Sequence, residues 1–271
     1  MKVFKERTPD ENPKRYGAVL LWTAIAMATL VLTSVVTKGL LSVHGAMFFG
    51  TVIGNLAVAF AAMSYERFKI PTGDLTSRHV GVTILGAIAL TIGATGLTGM
   101  LTEMILSATE GSSFGDNLRS IADQRELIYE RILLLDHARY IPLVLITLAF
   151  APGICEEFFF RGVLYEFVKG VAPEVRIAFI GFVFAAVHFD IYGFFPLLIV
   201  GMVFTWMRYV TGGWVIPAVA HITFNAFSAV VLARLATDDD PSRLALVLMT
   251  VLGGGAAWAI LQLLPQRVNP D

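Results

Sequence analysis

The chain has 271 residues, of which 56% are hydrophobic and only 15% are charged. A soluble globular protein carries about 25% Asp, Glu, Lys and Arg, so this composition excludes an ordinary water-soluble fold and indicates a protein surrounded mostly by lipid. Twenty basic and twenty-one acidic residues leave a net charge of -1, which offers no basic surface to a nucleic-acid backbone and excludes nucleic acid as a partner. The single cysteine, Cys155, excludes an intramolecular disulfide framework.

Long apolar stretches follow one another along most of the chain. A helix needs about 20 mostly apolar residues to cross the roughly 30 Å hydrocarbon core of a bilayer. Eight stretches approach this length, and they lack the alternation of a β-strand, so the sequence predicts an all-α, polytopic membrane helix bundle with about eight transmembrane helices. The predicted spans are Tyr16 to Thr37, Ala46 to Met63, Val80 to Leu106, Ile141 to Val168, Ile177 to Ile191, Phe194 to Val210, Trp214 to Leu235, and Leu244 to Leu264.

The polar segments between the spans indicate how the chain is arranged. We predict a single integral membrane domain over residues 1–271, with a cytoplasmic leader at residues 1–15 and an amphipathic extramembrane loop at residues 107–140. This topology assigns twelve basic residues to the side of the N-terminus and seven to the opposite side, so both termini are predicted to be cytoplasmic. Apolar residues recur at helical intervals within the loop, which predicts a helix that lies on the membrane surface or caps the bundle: Leu118, Ile121, Ile128, Ile132 and Leu135.

Three ionisable residues interrupt the fourth predicted span: Glu156, Glu157 and Arg161. An ionisable residue at the centre of a span costs about 2.5–3.5 kcal/mol, so each one requires a partner or a function. Glu157 and Arg161 stand four residues apart on one helical face, whereas Glu156 points about 100° away. We therefore predict that Glu157 is neutralised by Arg161 and that Glu156 is left free; the alternative is an ion-pair network with no chemical role.

Two later spans carry further polar residues at matching depths. His188 ends the fifth predicted span, and His221 and Asn225 share one face of the seventh because they are four residues apart. Glu156, His188 and His221 each lie 12 or 13 residues from a flanking basic residue, which corresponds to roughly 18–20 Å along a helix. The three spans are therefore predicted to bring these groups together in a polar cavity inside the bundle.

This set of residues has the chemistry needed to hydrolyse an amide. Glu156 is a candidate general base, and His188 can hold the same water molecule. The negative oxygen that develops on the attacked carbonyl needs hydrogen-bond donors, which His221 and Asn225 can provide. Asp190, two residues after His188, is a candidate for orienting its imidazole. The sequence thus predicts hydrolysis of a peptide bond by an activated water, without a covalent enzyme intermediate and without a cofactor.

The same residues resemble a known family. The motifs Glu156-Glu157-x-x-x-Arg161, Phe184-x-x-x-His188 and His221-x-x-x-Asn225 look like those of the CPBP family, the CAAX proteases and bacteriocin-processing enzymes, also called the ABI family. The resemblance covers the predicted catalytic core, residues 141–236. It implies a glutamate-dependent intramembrane endopeptidase of the CAAX protease type, in which Glu156 and His188 activate water and His221 and Asn225 form the oxyanion site. It also implies a peptide or protein substrate, with or without a lipid modification, that reaches the enzyme in the bilayer.

Other interpretations of the same residues remain open. A zinc-dependent membrane protease could use Glu156, His188 and His221 as metal ligands, although the sequence lacks an H-E-x-x-H motif. The thiol of Cys155 could serve as a nucleophile. A protein without enzymatic activity, such as a bacteriocin-immunity or scaffold protein or a proton-coupled carrier, could use the same ionisable cluster.

Overall fold

The computed structural model describes residues 15–38, 40–66, 69–73, 75–133, 140–235 and 241–264. Over these residues the chain is helical and contains no β-strand, which confirms the predicted all-α class. Some predictions lie outside the described residues: the leader over residues 1–14, the loop over residues 134–139, and residue 236 at the end of the predicted core.

Nine helices, counted over the described residues, make up the fold. Each begins and ends close to the polar or glycine-rich segments that separate the apolar stretches of the sequence. Their bounds are α1 Tyr16–Lys38, α2 Val43–Glu66, α3 Ser77–Ala108, α4 Ser113–Leu133, α5 Ile141–Phe167, α6 Pro173–Ala186, α7 Phe194–Thr211, α8 Val215–Leu235 and α9 Arg243–Leu261.

Six of these helices are long and apolar enough to cross a membrane, namely α1, α2, α3, α5, α7 and α9. The polytopic membrane bundle is therefore confirmed. Two of the eight predicted spans correspond to shorter apolar helices. The fifth predicted span is α6, which has 14 residues and rises about 21 Å, and the seventh is α8, whose apolar part is Val215–Val230. Helix α6 leads to His188, and α8 carries His221 and Asn225.

Several helix ends are fixed by side chains or by glycine. Ser42, Thr76 and Ser242 precede α2, α3 and α9, and each side-chain oxygen accepts a hydrogen bond from the backbone N–H three residues later. Gly212 ends α7 with a φ of 75°, a left-handed conformation that suits glycine. Pro173 opens α6, where its missing N–H has no helical partner to lose.

Three of the long helices contain π-helical segments, in which the hydrogen bonds run from residue i to residue i+5. Two of these π-helical segments lie within α5, on either side of the α-helical segment Ala151–Glu157: Leu145–Phe150 and Phe158–Leu164. The others are Val52–Ala57 in α2 and Met249–Gly253 in α9. Glu156 and Glu157 therefore stand at the end of a short α-helical segment between two wider turns.

Helices α6 and α7 pack unusually close together because glycines face each other. A Cβ atom added to Gly181 would lie 2.8 Å from the backbone nitrogen of Met202, and one added to Gly201 would lie 3.0 Å from the carbonyl oxygen of Gly181. Two buried apolar clusters flank this contact: Phe160 and Phe184 belong to the first, and Phe204 to the second. The close contact fixes the end of α6, and hence His188, relative to α7.

Helix α4 confirms the predicted helix between the third and fourth spans, but its apolar residues do not form one buried face. Leu118 is 4% exposed, whereas Ile121 and Ile128 are 48% and 54% exposed. Leu118 shares its face with Arg125, since seven residues make about two turns. The helix thus presents a mixed face to the bundle and leaves an apolar stripe outside.

The α6–α7 contact leads to a first prediction. We expect Gly181→Ala to lower the thermal unfolding midpoint of the detergent-solubilised protein, because the added methyl group meets backbone atoms of Met202 and forces the helices apart, at a cost of about 1–3 kcal/mol. Gly81→Ala is the matched control, since a Cβ there has nothing within 4 Å. Equal midpoints for the two variants would contradict the close contact.

Candidate active site

Three parts of the chain bring polar side chains into the interior of the bundle. Helix α5 supplies Glu156, Glu157 and Arg161, the segment after α6 supplies His188, and α8 supplies His221 and Asn225. Helix α8 packs against α5 along the stretch that contains the acidic residues. At Gly153, one turn before Glu157, a Cβ would meet the backbone nitrogen of Ile222 at 2.9 Å, so the backbones of α5 and α8 approach each other directly beside the site.

The predicted pair of Glu157 and Arg161 is present. Nη1 of Arg161 donates to Oε1 of Glu157 at 2.8 Å, and both side chains have no solvent exposure. Helix α7 supplies the other partners of the guanidinium: Nε donates to the hydroxyl of Thr205 at 3.3 Å, and Nη2 donates to the carbonyl oxygen of Gly201 at 2.8 Å. No sequence pattern marked these two residues, because a threonine and a glycine within an apolar span are common packing residues.

Aromatic rings surround the same guanidinium. The Arg161 carbon Cζ lies 4.5 Å from the ring centre of Phe184, 5.6 Å from that of Phe204 and 5.8 Å from that of Phe160. Such rings attract a cation through their negative faces and also exclude water. The positive charge of Arg161 is therefore held by one carboxylate, two polar groups of α7 and three rings.

His221 contacts the same carboxylate. Its Nδ1 lies 2.8 Å from Oε1 of Glu157, and its ring packs between Phe184 and Phe204 with ring centres 5.8 Å and 5.4 Å away. Because Oε1 of an ionised carboxylate accepts, Nδ1 is the protonated nitrogen. Glu157 is thus shared by Arg161 and His221, a contact that the sequence analysis did not predict.

Asn225 also has an unforeseen partner. Its Nδ2 donates to the carbonyl oxygen of Leu148 at 2.9 Å, in the π-helical segment that precedes the acidic residues. The four-residue spacing predicted that His221 and Asn225 would direct donors at one point. In the structure one nitrogen of the imidazole and one hydrogen of the carboxamide are engaged by α5, which leaves Nε2 of His221 and the second amide hydrogen of Asn225 for other partners.

Glu156 and His188 form a second, more accessible pair. Nε2 of His188 lies 4.0 Å from Oε2 of Glu156, and the two side chains are 31% and 17% exposed. Nδ1 of His188 lies 2.6 Å from the carbonyl oxygen of Phe184, and since a carbonyl oxygen only accepts, Nδ1 carries the hydrogen. The other ring nitrogen, Nε2, therefore faces Glu156.

The other candidate residues are placed differently from the core set. Asp190 contacts no atom of the His188 ring in the described hydrogen bonds; its Oδ1 accepts from the backbone N–H groups of Tyr192 and Gly193. Cys155 is 3% exposed and packs in the interior. Within the part of the chain that the structure describes, no three His, Cys, Asp or Glu side chains lie close enough together to hold a metal ion.

Comparison with known proteins gives one match. Residues 138–227 match the family model described as type II CAAX prenyl endopeptidase Rce1-like, and this range includes all six polar residues of the site. No curated protein and no solved structure matches the chain. Together with the long apolar helices, this match indicates an integral membrane peptidase that is similar to Rce1-like type II CAAX prenyl endopeptidases over residues 138–227.

Proposed function

We propose that this protein is a glutamate-dependent intramembrane endopeptidase that hydrolyses a peptide bond with a water molecule activated by Glu156 and His188. The observation that carries the proposal is the pairing of these two side chains across 4.0 Å. This distance is too long for a direct hydrogen bond. It suits a water molecule that lies about 2.8 Å from each acceptor and donates one hydrogen to each.

The hydrogen-bond roles favour a general base over a simple ion pair. With Nδ1 of His188 donating to Phe184, the neutral ring offers only an acceptor to the water, and ionised Glu156 offers another. A water that donates both hydrogens directs its lone pairs outward, towards a substrate carbonyl. The water oxygen bonds to the carbonyl carbon as its proton passes to Glu156, and the same proton then moves to the leaving nitrogen when the C–N bond breaks.

The neighbouring carboxylate has a different role in this proposal. Glu157 has no solvent exposure and is shared by Arg161 and His221, so it is not available to a water molecule at the substrate. It fixes the orientation of the His221 ring by accepting a hydrogen bond from Nδ1. A protonated His221 can donate from Nε2 to the developing oxyanion, and Asn225 can donate its second amide hydrogen.

The substrate in this proposal is a peptide or protein that approaches from the bilayer, with or without a lipid modification. The site lies among helices long enough to span the membrane, and the matched family is described as prenyl endopeptidases. A comparison of cleavage products by mass spectrometry, in cells that express the wild-type or the Glu156→Gln protein, identifies the cleaved peptide. Identical products in the two cell lines would contradict the proposed function and favour a binding or carrier protein.

Replacement of the two adjacent carboxylates should have separable effects. We expect Glu156→Gln to lower kcat/KM for that peptide by about 10²–10⁴-fold, the usual contribution of a general base, with little change in the unfolding midpoint. Stability should be retained because Oε2 of Glu156 makes no hydrogen bond within the protein.

Glu157→Gln is the matched comparison at the next position. It leaves the buried guanidinium of Arg161 without a counter-charge, so we expect a loss of about 3–5 kcal/mol of stability, measured as a lower unfolding midpoint in detergent. A variant pair in which Glu156→Gln unfolds early and Glu157→Gln does not would reverse the two assignments.

Metal removal tests the zinc alternative. We expect turnover of the purified protein to survive exhaustive dialysis against a strong chelator, because Nδ1 of His221 is directed at Glu157 and the described residues contain no cluster of three metal ligands. Measurement of the metal content alongside the rate provides the control. Loss of turnover that stoichiometric Zn²⁺ restores would show that the site is a zinc centre.

A further inference from the structure

The segment between α6 and α7, residues 187–193, carries His188 and is called here the His188 loop. Phe189, the residue after the histidine, has a φ of 50° and is the only non-glycine residue with a positive φ in the described ranges. A bulky residue adopts this left-handed conformation only where the surrounding structure enforces it. The backbone that carries His188 is therefore under strain and needs restraint.

Part of the restraint lies within the loop itself. Oδ1 of Asp190 accepts hydrogen bonds from the backbone nitrogens of Tyr192 at 3.1 Å and of Gly193 at 3.0 Å. This arrangement closes a turn, as Asp side chains commonly do. The turn shapes the loop but does not attach it to the rest of the bundle.

Helix α4 provides the attachment through two contacts on one face. The hydroxyl of Tyr192 donates to the carbonyl oxygen of Leu118 at 2.7 Å, and Nη2 of Arg125 lies 3.0 Å from Oδ2 of Asp190. Leu118 and Arg125 are two helical turns apart, so together they hold both the end and the middle of the loop. Helix α4 also packs against α8, the helix that carries His221.

The tyrosine contact is well suited to a permanent restraint. Tyr192 is 1% exposed, and burial raises the pKa of its hydroxyl, so the phenol stays neutral and remains a donor. Leu118 is 4% exposed, which places the accepting carbonyl in a region with little access to water. By contrast, Ile121 and Ile128 on the same helix are exposed, which shows that α4 uses one face for this contact.

We propose that α4 is a clamp for the His188 loop and that Arg125 and Tyr192 are positioning residues, which keep the imidazole of His188 directed at Glu156. This inference rests on the proposed function and assigns to α4 a role in it. In the described structure the ring is held by its hydrogen bond to the carbonyl oxygen of Phe184 and by packing against the ring of the same residue, with ring centres 4.7 Å apart. If the contacts to α4 are lost, Phe189 can relax to a negative φ. The imidazole of His188 then turns away from Glu156.

Conservative variants separate the two contacts. Tyr192→Phe removes only the hydroxyl, and Arg125→Gln removes the charge that faces Asp190. We expect each variant, as full-length protein in liposomes, to lower kcat about fivefold for the peptide whose cleavage depends on Glu156, while KM changes less than twofold. The double variant should lower kcat by at least tenfold, and Arg125→Lys should restore most of the rate. Glu126→Gln, on the exposed side of α4, is the matched control and should behave as the wild type.

A second measurement does not depend on turnover. Amide hydrogen exchange of residues 187–193, followed by mass spectrometry, should increase at least fivefold in Tyr192→Phe and Arg125→Gln, with unchanged exchange in α5 and α8. If exchange in the loop is unchanged and kcat equals that of the wild type, the clamp is refuted while the proposed function stands. If Glu156→Gln retains full turnover, the proposed function fails. Faster exchange in the loop of the α4 variants would then show only that α4 supports the fold, and the positioning role would be overturned.

Discussion

A guanidinium without solvent exposure must find all of its partners inside the protein, and Arg161 does so at the centre of this bundle. Its charge faces Glu157 from the same helix, and its other nitrogens donate to Thr205 and Gly201 of α7. A buried charge that loses its counter-ion costs several kcal/mol, so this set of contacts fixes α5 against α7. Because Glu157 also accepts from His221, the same ion pair fixes α8. The orientation of the polar site thus depends on one interaction in the apolar interior.

The two adjacent carboxylates show how position alone can separate two roles. Neighbouring residues on a helix point about 100° apart, so Glu157 faces Arg161 inside the bundle while Glu156 faces the partly exposed His188. Oε1 of Glu157 is engaged by both a guanidinium and an imidazole, whereas Glu156 faces only the imidazole of His188 across 4.0 Å. The two residues are chemically identical, so it is this difference in environment that supports a structural role for Glu157 and a catalytic role for Glu156.

The sequence was informative where the physics is local or periodic. Hydropathy identified the membrane helices, and four-residue spacing correctly paired Glu157 with Arg161. It was less informative about contacts between distant residues, such as the bond from Asn225 to Leu148 or from Tyr192 to Leu118. These bonds use backbone carbonyls, which every residue possesses, so no residue type marks them. Asp190 likewise makes no contact with the His188 ring among the described hydrogen bonds, because its Oδ1 accepts from nearby backbone N–H groups and its Oδ2 faces Arg125.

The π-helical segments on both sides of Ala151–Glu157 have a consequence for how this helix tolerates changes in length. A π turn holds one residue more than an α turn, so the loss of one residue from Leu145–Phe150 can be absorbed by a return to ordinary winding, with little rotation of the helix beyond it. The loss of one residue from a regular α-helical stretch would instead rotate everything beyond it by about 100°, the angle that separates Glu156 from Glu157. The directions of the two acids are therefore least sensitive to a change in chain length within these wider turns.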